Sequence, residues 1–175
     1  MLFRSLSGNG GLTIKGGRVV FGNADNAYLG ATVMITGLVE TASVDAFGDS
    51  SADPANLVLG DGTLRYTGSS ATLNRGFTVA PTNNNSRAFA IDVTNANTTL
   101  TVAGRVLTPN GSFIKTGSGT LAFTYPGDQQ LSRSRQAVAE GMPLTFDANG
   151  SASTNGYSLF TVDNGKLVLG AAGQT

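Results

Sequence analysis

The stretch GSFIKTGSGTLAFT, Gly111 to Thr124, decides how this chain is read. Lys115 is its one ionisable side chain, so it carries little chemistry, yet its spacing recurs elsewhere. Four segments set on a shared glycine keep one frame: apolar, any, apolar, two turn residues, Gly, any, apolar, any, apolar. Around Gly17 the apolar positions are Leu12, Ile14, Val19 and Phe21; around Gly62 they are Leu57, Leu59, Leu64 and Tyr66. Around Gly119 they are Ile114, Thr116, Leu121 and Phe123, and around Gly165 they are Phe160, Val162, Leu167 and Leu169. Only Thr116 departs from the rule. Alternation with a period of two gathers these side chains on one face of a strand and turns Arg18, Thr63, Thr120 and Lys166 to the other. Each unit reads as strand, corner, strand. The glycine belongs to the corner, because pairs such as Asp61-Gly62 and Asn164-Gly165 suit backbone with positive φ, which a Cβ disfavours.

Composition narrows the chemistry. The 175 residues suffice for a single domain, 1–175, with a sizeable core. The absence of Cys, His and Trp removes disulfides, cysteine-based metal sites, the usual imidazole base and a Ser-His-Asp triad. Eleven basic and eleven acidic residues cancel, which gives no electrostatic reason to expect nucleic acid or an anionic membrane as partner. Twenty-four glycines, a 13% charged fraction and abundant Thr, Ser, Asn and Val point to an all-β chain with many tight corners. No apolar run approaches the ~20 residues of a membrane-spanning helix. The opening MLFRSLSGNGG lacks the apolar core of a signal peptide, so the reading expects a segment of a longer exported protein.

The anchor glycines stand 45, 57 and 46 residues apart, which suits two turns of a β-solenoid rather than one. In PLTFDANG, Leu144 falls midway between Leu121 and Leu167, and Leu100 and Val102 precede Leu121 and Phe123 in the same phase. These spacings give coils of about 21–23 residues, each burying its inward row only against its neighbours. Further strands read at Ala31–Val39, Gly76–Ala80 and Ala88–Val93, with loops at 45–56, 81–86 and 125–130. Asp128–Glu140 is weak as a helix and reads as an exposed insertion. Two strands symmetric about Asp61-Gly62 also suit an antiparallel hairpin, and periodicity alone does not separate a hairpin array from a parallel solenoid.

GSFIKTGSGTLAFT, with GNGGLTIKGGRVVFG (Gly8 to Gly22) and ANLVLGDGTLRYTG (Ala55 to Gly68), resembles the passenger-associated repeats of bacterial autotransporters, also called autotransporter-associated β-strand repeats. The family core reads roughly Gly, apolar, Thr/Ile, Lys, Thr, Gly, any, Gly, Thr, Leu, any, Leu. Ile114, Lys115, Thr116, Gly117, Gly119, Thr120, Leu121 and Phe123 follow it position by position. Arg75 to Gly104 is similar to the spacer that precedes such repeats. The resemblance implies a right-handed parallel β-helix, displayed at the bacterial cell surface. It implies a non-catalytic stalk or display scaffold, with flanking coils of the parent chain as partners and host or matrix glycans or proteins as possible ligands.

The candidate sites are sparse. Lys115 and Arg65 fall at outward strand positions and read as solvated cations. The loop with Asp45, Asp49 and Asp53 offers carboxylates to calcium but lacks both the EF-hand spacing and the GGxGxD repeat, so no metal is assigned. The glycines are not phosphate loops, since no Gly-Lys-Ser/Thr follows them. Parallel β-helices also house polysaccharide lyases and hydrolases, which need paired carboxylates on one face. Only Asp92, Asp147 and Asp128 lie near the strand ladder, in different coils with surface or turn readings available, so no catalytic residue and no cofactor is assigned. An antiparallel β fibre is the remaining alternative.

Overall fold

A computed structural model describes residues 2–3, 5–24, 26–48, 51–80, 88–107, 112–125, 144–147, 151–154, 158–162 and 164–169. Among them the chain forms strands and two short 3-10 helices, Val44–Phe47 and Pro54–Asn56, with no α-helix. The β-branched and aromatic residues at alternating positions account for the strands. Breaks fall at clusters such as Thr116–Gly119 and Asn164–Gly165, where Gly117 and Gly165 take φ of 73° and 77°.

Most of the strands pair in parallel, and they fall into three series. Leu12–Ile14, the first halves of Thr32–Thr41 and Leu57–Tyr66, then Phe77–Val79 and Val106–Leu107 make the first. Arg18–Phe21, the second halves of the same two long strands, Ala88–Val93, Ser112–Thr116 and Ser158–Val162 make the second. Ala71–Leu73, Thr99–Val102, Thr120–Phe123 and Lys166–Leu169 make the third. From Leu12 to Thr41 the chain alternates between the first two series, and from Leu57 to Phe123 it visits all three in turn; contacts between successive circuits join residues 20 to 30 apart. That spread is wider than the regular spacing expected from sequence, because the connections differ in length while the strands keep register.

Leu57–Tyr66 is one continuous strand with parallel neighbours on both sides, Thr32–Thr41 and Ala88–Val93. No hairpin forms about Asp61-Gly62. Gly62 is not at a positive φ, and neither is Gly119. Their reason is proximity: a Cβ on Gly62 would come within 2.7 Å of the Gly37 carbonyl oxygen, and one on Gly119 within 2.5 Å of that of Asn95. The shared frame thus joins glycines of two kinds, some set by conformation and some by neighbouring backbone.

The segment around Leu144 departs from expectation. Leu121 pairs directly with Leu167 in parallel, leaving no coil between them. Leu144–Asp147 instead runs antiparallel on the outer side of Lys166–Leu169, and Ser151–Thr154 runs antiparallel on Ser158–Val162. Alternation is indifferent to strand direction, so a period of two fits either sense of pairing. The Asp128–Glu140 insertion lies outside the described residues.

Inward side chains of neighbouring strands stand in register and merge into one core. Leu100, Leu121 and Leu167 form one row, and Val39, Leu64 and Ile91 form another. Leu64, Leu100, Leu121 and Leu167 all lie buried in the same cluster, as expected; the Leu144 side chain is outside the described residues. Each such leucine contributes about 1.5–3 kcal/mol by leaving water. Phe21 and Phe47 add an edge-to-face contact at 5.9 Å between ring centres.

Candidate functional site

The second series carries Arg18, Glu40, Arg65 and Asp92 on its outer face. Glu40, Arg65 and Asp92 are direct register neighbours on three adjacent strands. Parallel strands lie about 4.8 Å apart, so alternating signs at one level form a ladder. Arg65 Nε donates to Asp92 Oδ2 at 2.8 Å, its Nη1 lies 3.8 Å from Glu40 Oε2, and Arg18 Nη2 donates to Glu40 Oε1 at 3.0 Å. The hydrogen bond to Asp92 holds the Arg65 guanidinium even more firmly protonated than usual. Arg65 is outward, as its position predicts, but paired rather than free. Asp92 is buried beside it rather than lying at an open surface. Both carboxylates of this face are thus engaged by arginine.

Lys115 overturns its sequence reading. It is fully buried, in direct register with Ile91 and hence in the inward row of Val39, Leu64 and Ile91. Ile114, expected inward, is half-buried and registers with Ala90. The phase is reversed because the corner after Lys115 turns at Gly117 rather than at the shared glycine, Gly119. The Lys115 ammonium is satisfied by main-chain carbonyls: Nζ donates to Thr116 O, to Gly117 O at 2.8 Å and to Asn164 O at 3.2 Å. Burial pushes its pKa down to about 8, with the Asp92 carboxylate acting in the opposite direction. A buried cation needs such partners, since leaving it unpaired costs several kcal/mol. The sequence signal that fits this role is the TG pair after Lys115, whose carbonyls reach back to the amine.

The corners above and below show the same habit with neutral groups. Thr67 Oγ1 donates to Thr41 O, Thr94 Oγ1 to Tyr66 O, Asn95 Nδ2 to Thr67 O, Thr98 Oγ1 to Gly68 O and Ser118 Oγ to Thr94 O. Each donor serves a carbonyl about one circuit earlier, and at Thr41 and Tyr66 the hydroxyl adds to a main-chain hydrogen bond that the same carbonyl accepts. This accounts for much of the Thr, Ser and Asn content. Those side chains hold neighbouring corners together, a role that sequence reasoning did not assign to them.

The acidic loop is built differently. Asp45 is exposed on the Val44–Phe47 helix, and Asp53 caps Pro54–Asn56 by accepting from Ala55 N at 2.9 Å. Asp49 lies outside the described residues. No group of three or more His, Cys, Asp or Glu is gathered for a metal among the described residues. A shallow cleft of about 310 Å³ opens beside this loop, between Asp45, Asn74 and Arg75. The Arg75 guanidinium donates to Phe47 O at 2.7 Å and Gly48 O at 2.8 Å, so it serves to fasten the loop. Asp147 sits on the antiparallel edge strand opposite Lys166, with its side chain outside the described residues, as is all of Asp128. No described helix is long and apolar enough to cross a membrane.

No family model and no solved structure matches the chain. Among curated proteins it is similar to the adhesin BmaC autotransporter of Brucella suis biovar 1 (strain 1330), with 35% identity over 161 residues. The match takes in 83% of this chain but spans only 5% of that protein's length. The chain is therefore similar to one short segment of an autotransporter adhesin.

Proposed function

We propose that the chain is a segment of a bacterial autotransporter passenger: a right-handed parallel β-helix that acts as a non-catalytic stalk or display scaffold at the cell surface. The observation that carries this reading is the recurring order of three parallel strand series from Leu57 to Phe123, where each gains one strand per circuit. Such a design extends by repetition and buries its core between successive turns. Likeness to part of an adhesin autotransporter supports the surface location. In this reading, glycine-cornered repeats supply length and rigidity, neighbouring turns of the parent are the main partners, and adhesion to host or matrix glycans or proteins belongs to the whole assembly. The burial of Lys115 and Asp92 and the pairing of Arg65 with Asp92 support a structural role for the charges that sequence reading had singled out.

The test is an exchange within the parent. Residues 1–175 are replaced by an unrelated β-helix of matched length, and display and adhesion are measured beside an in-frame deletion. A stalk tolerates the exchange and suffers from shortening. Loss of adhesion on the matched exchange, with display intact, overturns the stalk reading in favour of a direct binding surface. Cleavage of a polysaccharide by the purified chain, abolished by Asp92→Asn without unfolding, overturns the non-catalytic reading.

A further inference from the structure

The corner that holds Lys115 also brings together the parts of a covalent bond. Asn164 is followed by Gly165, which has no side chain to hinder attack by its own amide nitrogen. Gly165 N lies 2.7 Å from Asn164 Oδ1, which places that nitrogen beside the side-chain amide carbon. Asn164 is exposed, so ammonia leaving that carbon escapes to solvent. On the inner side, Lys115 Nζ lies 3.2 Å from the main-chain carbonyl oxygen of the same Asn164. Both nitrogens are thus held against the carbonyl groups whose carbons they would attack, and such placement removes much of the entropic cost of bringing the groups together.

We propose that Asn164 and Lys115 form an intramolecular cross-link through a cyclic imide. In the first step the Gly165 nitrogen attacks Asn164 Cγ; the N–Cγ bond forms, the Cγ–Nδ2 bond breaks, and ammonia departs with the proton from Gly165 N. The Asn164 main-chain carbonyl is then one of two activated imide carbonyls. In the second step the neutral Lys115 amine attacks that carbonyl carbon. The Nζ–C bond forms, the bond from that carbon to Gly165 N breaks, and the proton from Nζ passes to Gly165 N. The main chain now continues from Asn164 Cγ to Gly165, and the Asn164 α-carbonyl is an amide of Lys115. One ammonia is lost, nothing is oxidised or reduced, and no external reagent is used.

Two features favour capture by the amine over hydrolysis. Lys115 is fully buried, so it approaches the carbonyl from the side that water does not reach. Its pKa near 8 gives a substantial neutral, nucleophilic fraction under mildly alkaline conditions. The product ties the Ser112–Thr116 strand to the corner leading into Lys166–Leu169, across the long stretch between Phe123 and Ser158. The inference stands on this geometry alone and holds whether or not the chain is a stalk.

The test is mass spectrometry of the purified chain, aged in mildly alkaline buffer. The expected result is loss of one ammonia from the intact mass, a tryptic peptide linking Lys115 to Asn164, and failure of trypsin to cut after residue 115. Lys115→Arg keeps a buried donor but removes the nucleophile, and is expected to give hydrolysis of the imide to an acid at position 164 instead. Asn164→Ala is expected to keep its full mass with Lys115 open to trypsin, and serves as the control if the arginine variant fails to fold. An aged wild-type chain of unchanged mass, or one that shows only hydrolysis at Asn164, overturns the proposal.

Discussion

Leu121 and Leu167 lie side by side in parallel register, each with no measurable exposure, although a long detour of chain separates them. Their contact closes the inward row of the third series, with Leu100 on the far side of Leu121. Leu121→Ala is expected to lower the free energy of unfolding by about 2–5 kcal/mol, and Leu121→Asp by more, since the carboxylate finds no partner in the row. Urea titration of both variants checks this. An aspartate variant as stable as the alanine variant would show that the row opens to water.

The charge ladder gives a second contrast. Arg18 is 59% exposed at its side chain and contacts only the outer end of the ladder at Glu40, whereas Arg65 sits between Glu40 and Asp92. Exposed pairs contribute about 0–1 kcal/mol, so Arg18→Ala is expected to be nearly silent. Arg65→Ala leaves the buried Asp92 carboxylate without its closest partner and is expected to cost distinctly more. Asp92→Ala is likewise expected to destabilise. A double-mutant cycle between positions 65 and 92 measures the coupling, and a value indistinguishable from zero would remove the ladder as a source of register.

What the sequence disclosed was the part governed by short-range alternation. The frame around Gly17, Gly62, Gly119 and Gly165 located strands, corners and the leucine rows. It did not locate Lys115, because a change in which residue makes the turn reverses the phase, and apolar Ile114 looked the better core residue. Nor did it place Leu144, since a period of two does not encode strand direction. The ion ladder was out of reach for a different reason: Glu40, Arg65 and Asp92 become neighbours only through register between distant strands.

The glycines of the shared frame separate into two classes with different expected responses. Gly17 has φ of 73° with no atom close enough to meet an added Cβ, so Gly17→Ala is expected to cost roughly 1 kcal/mol through backbone conformation alone. Gly62→Ala places a methyl group against the Gly37 carbonyl and is expected to cost more, because the two strands must move apart. Thermal unfolding of the two variants decides between them. Equal shifts would mean that the strands at Gly62 yield readily.

The buried amine predicts an unusual pH dependence. The Lys115 pKa is about 8 in the folded chain against 10.5 for an ordinary lysine. Between those values the unfolded chain binds more protons than the folded one, so stability rises with pH across this window. Its contribution is fully present above the ordinary value and is lost as pH falls through about 8. The measurement uses the Asn164→Ala background, in which the amine stays free while the main-chain carbonyl at position 164 is retained. Urea midpoints are expected to increase from neutral pH toward pH 10, and adding Lys115→Met is expected to flatten that rise. A slope that survives the methionine substitution would assign the effect to another group, and a fall in stability over the same window would mean that the three carbonyls hold the charged amine more strongly than burial opposes it.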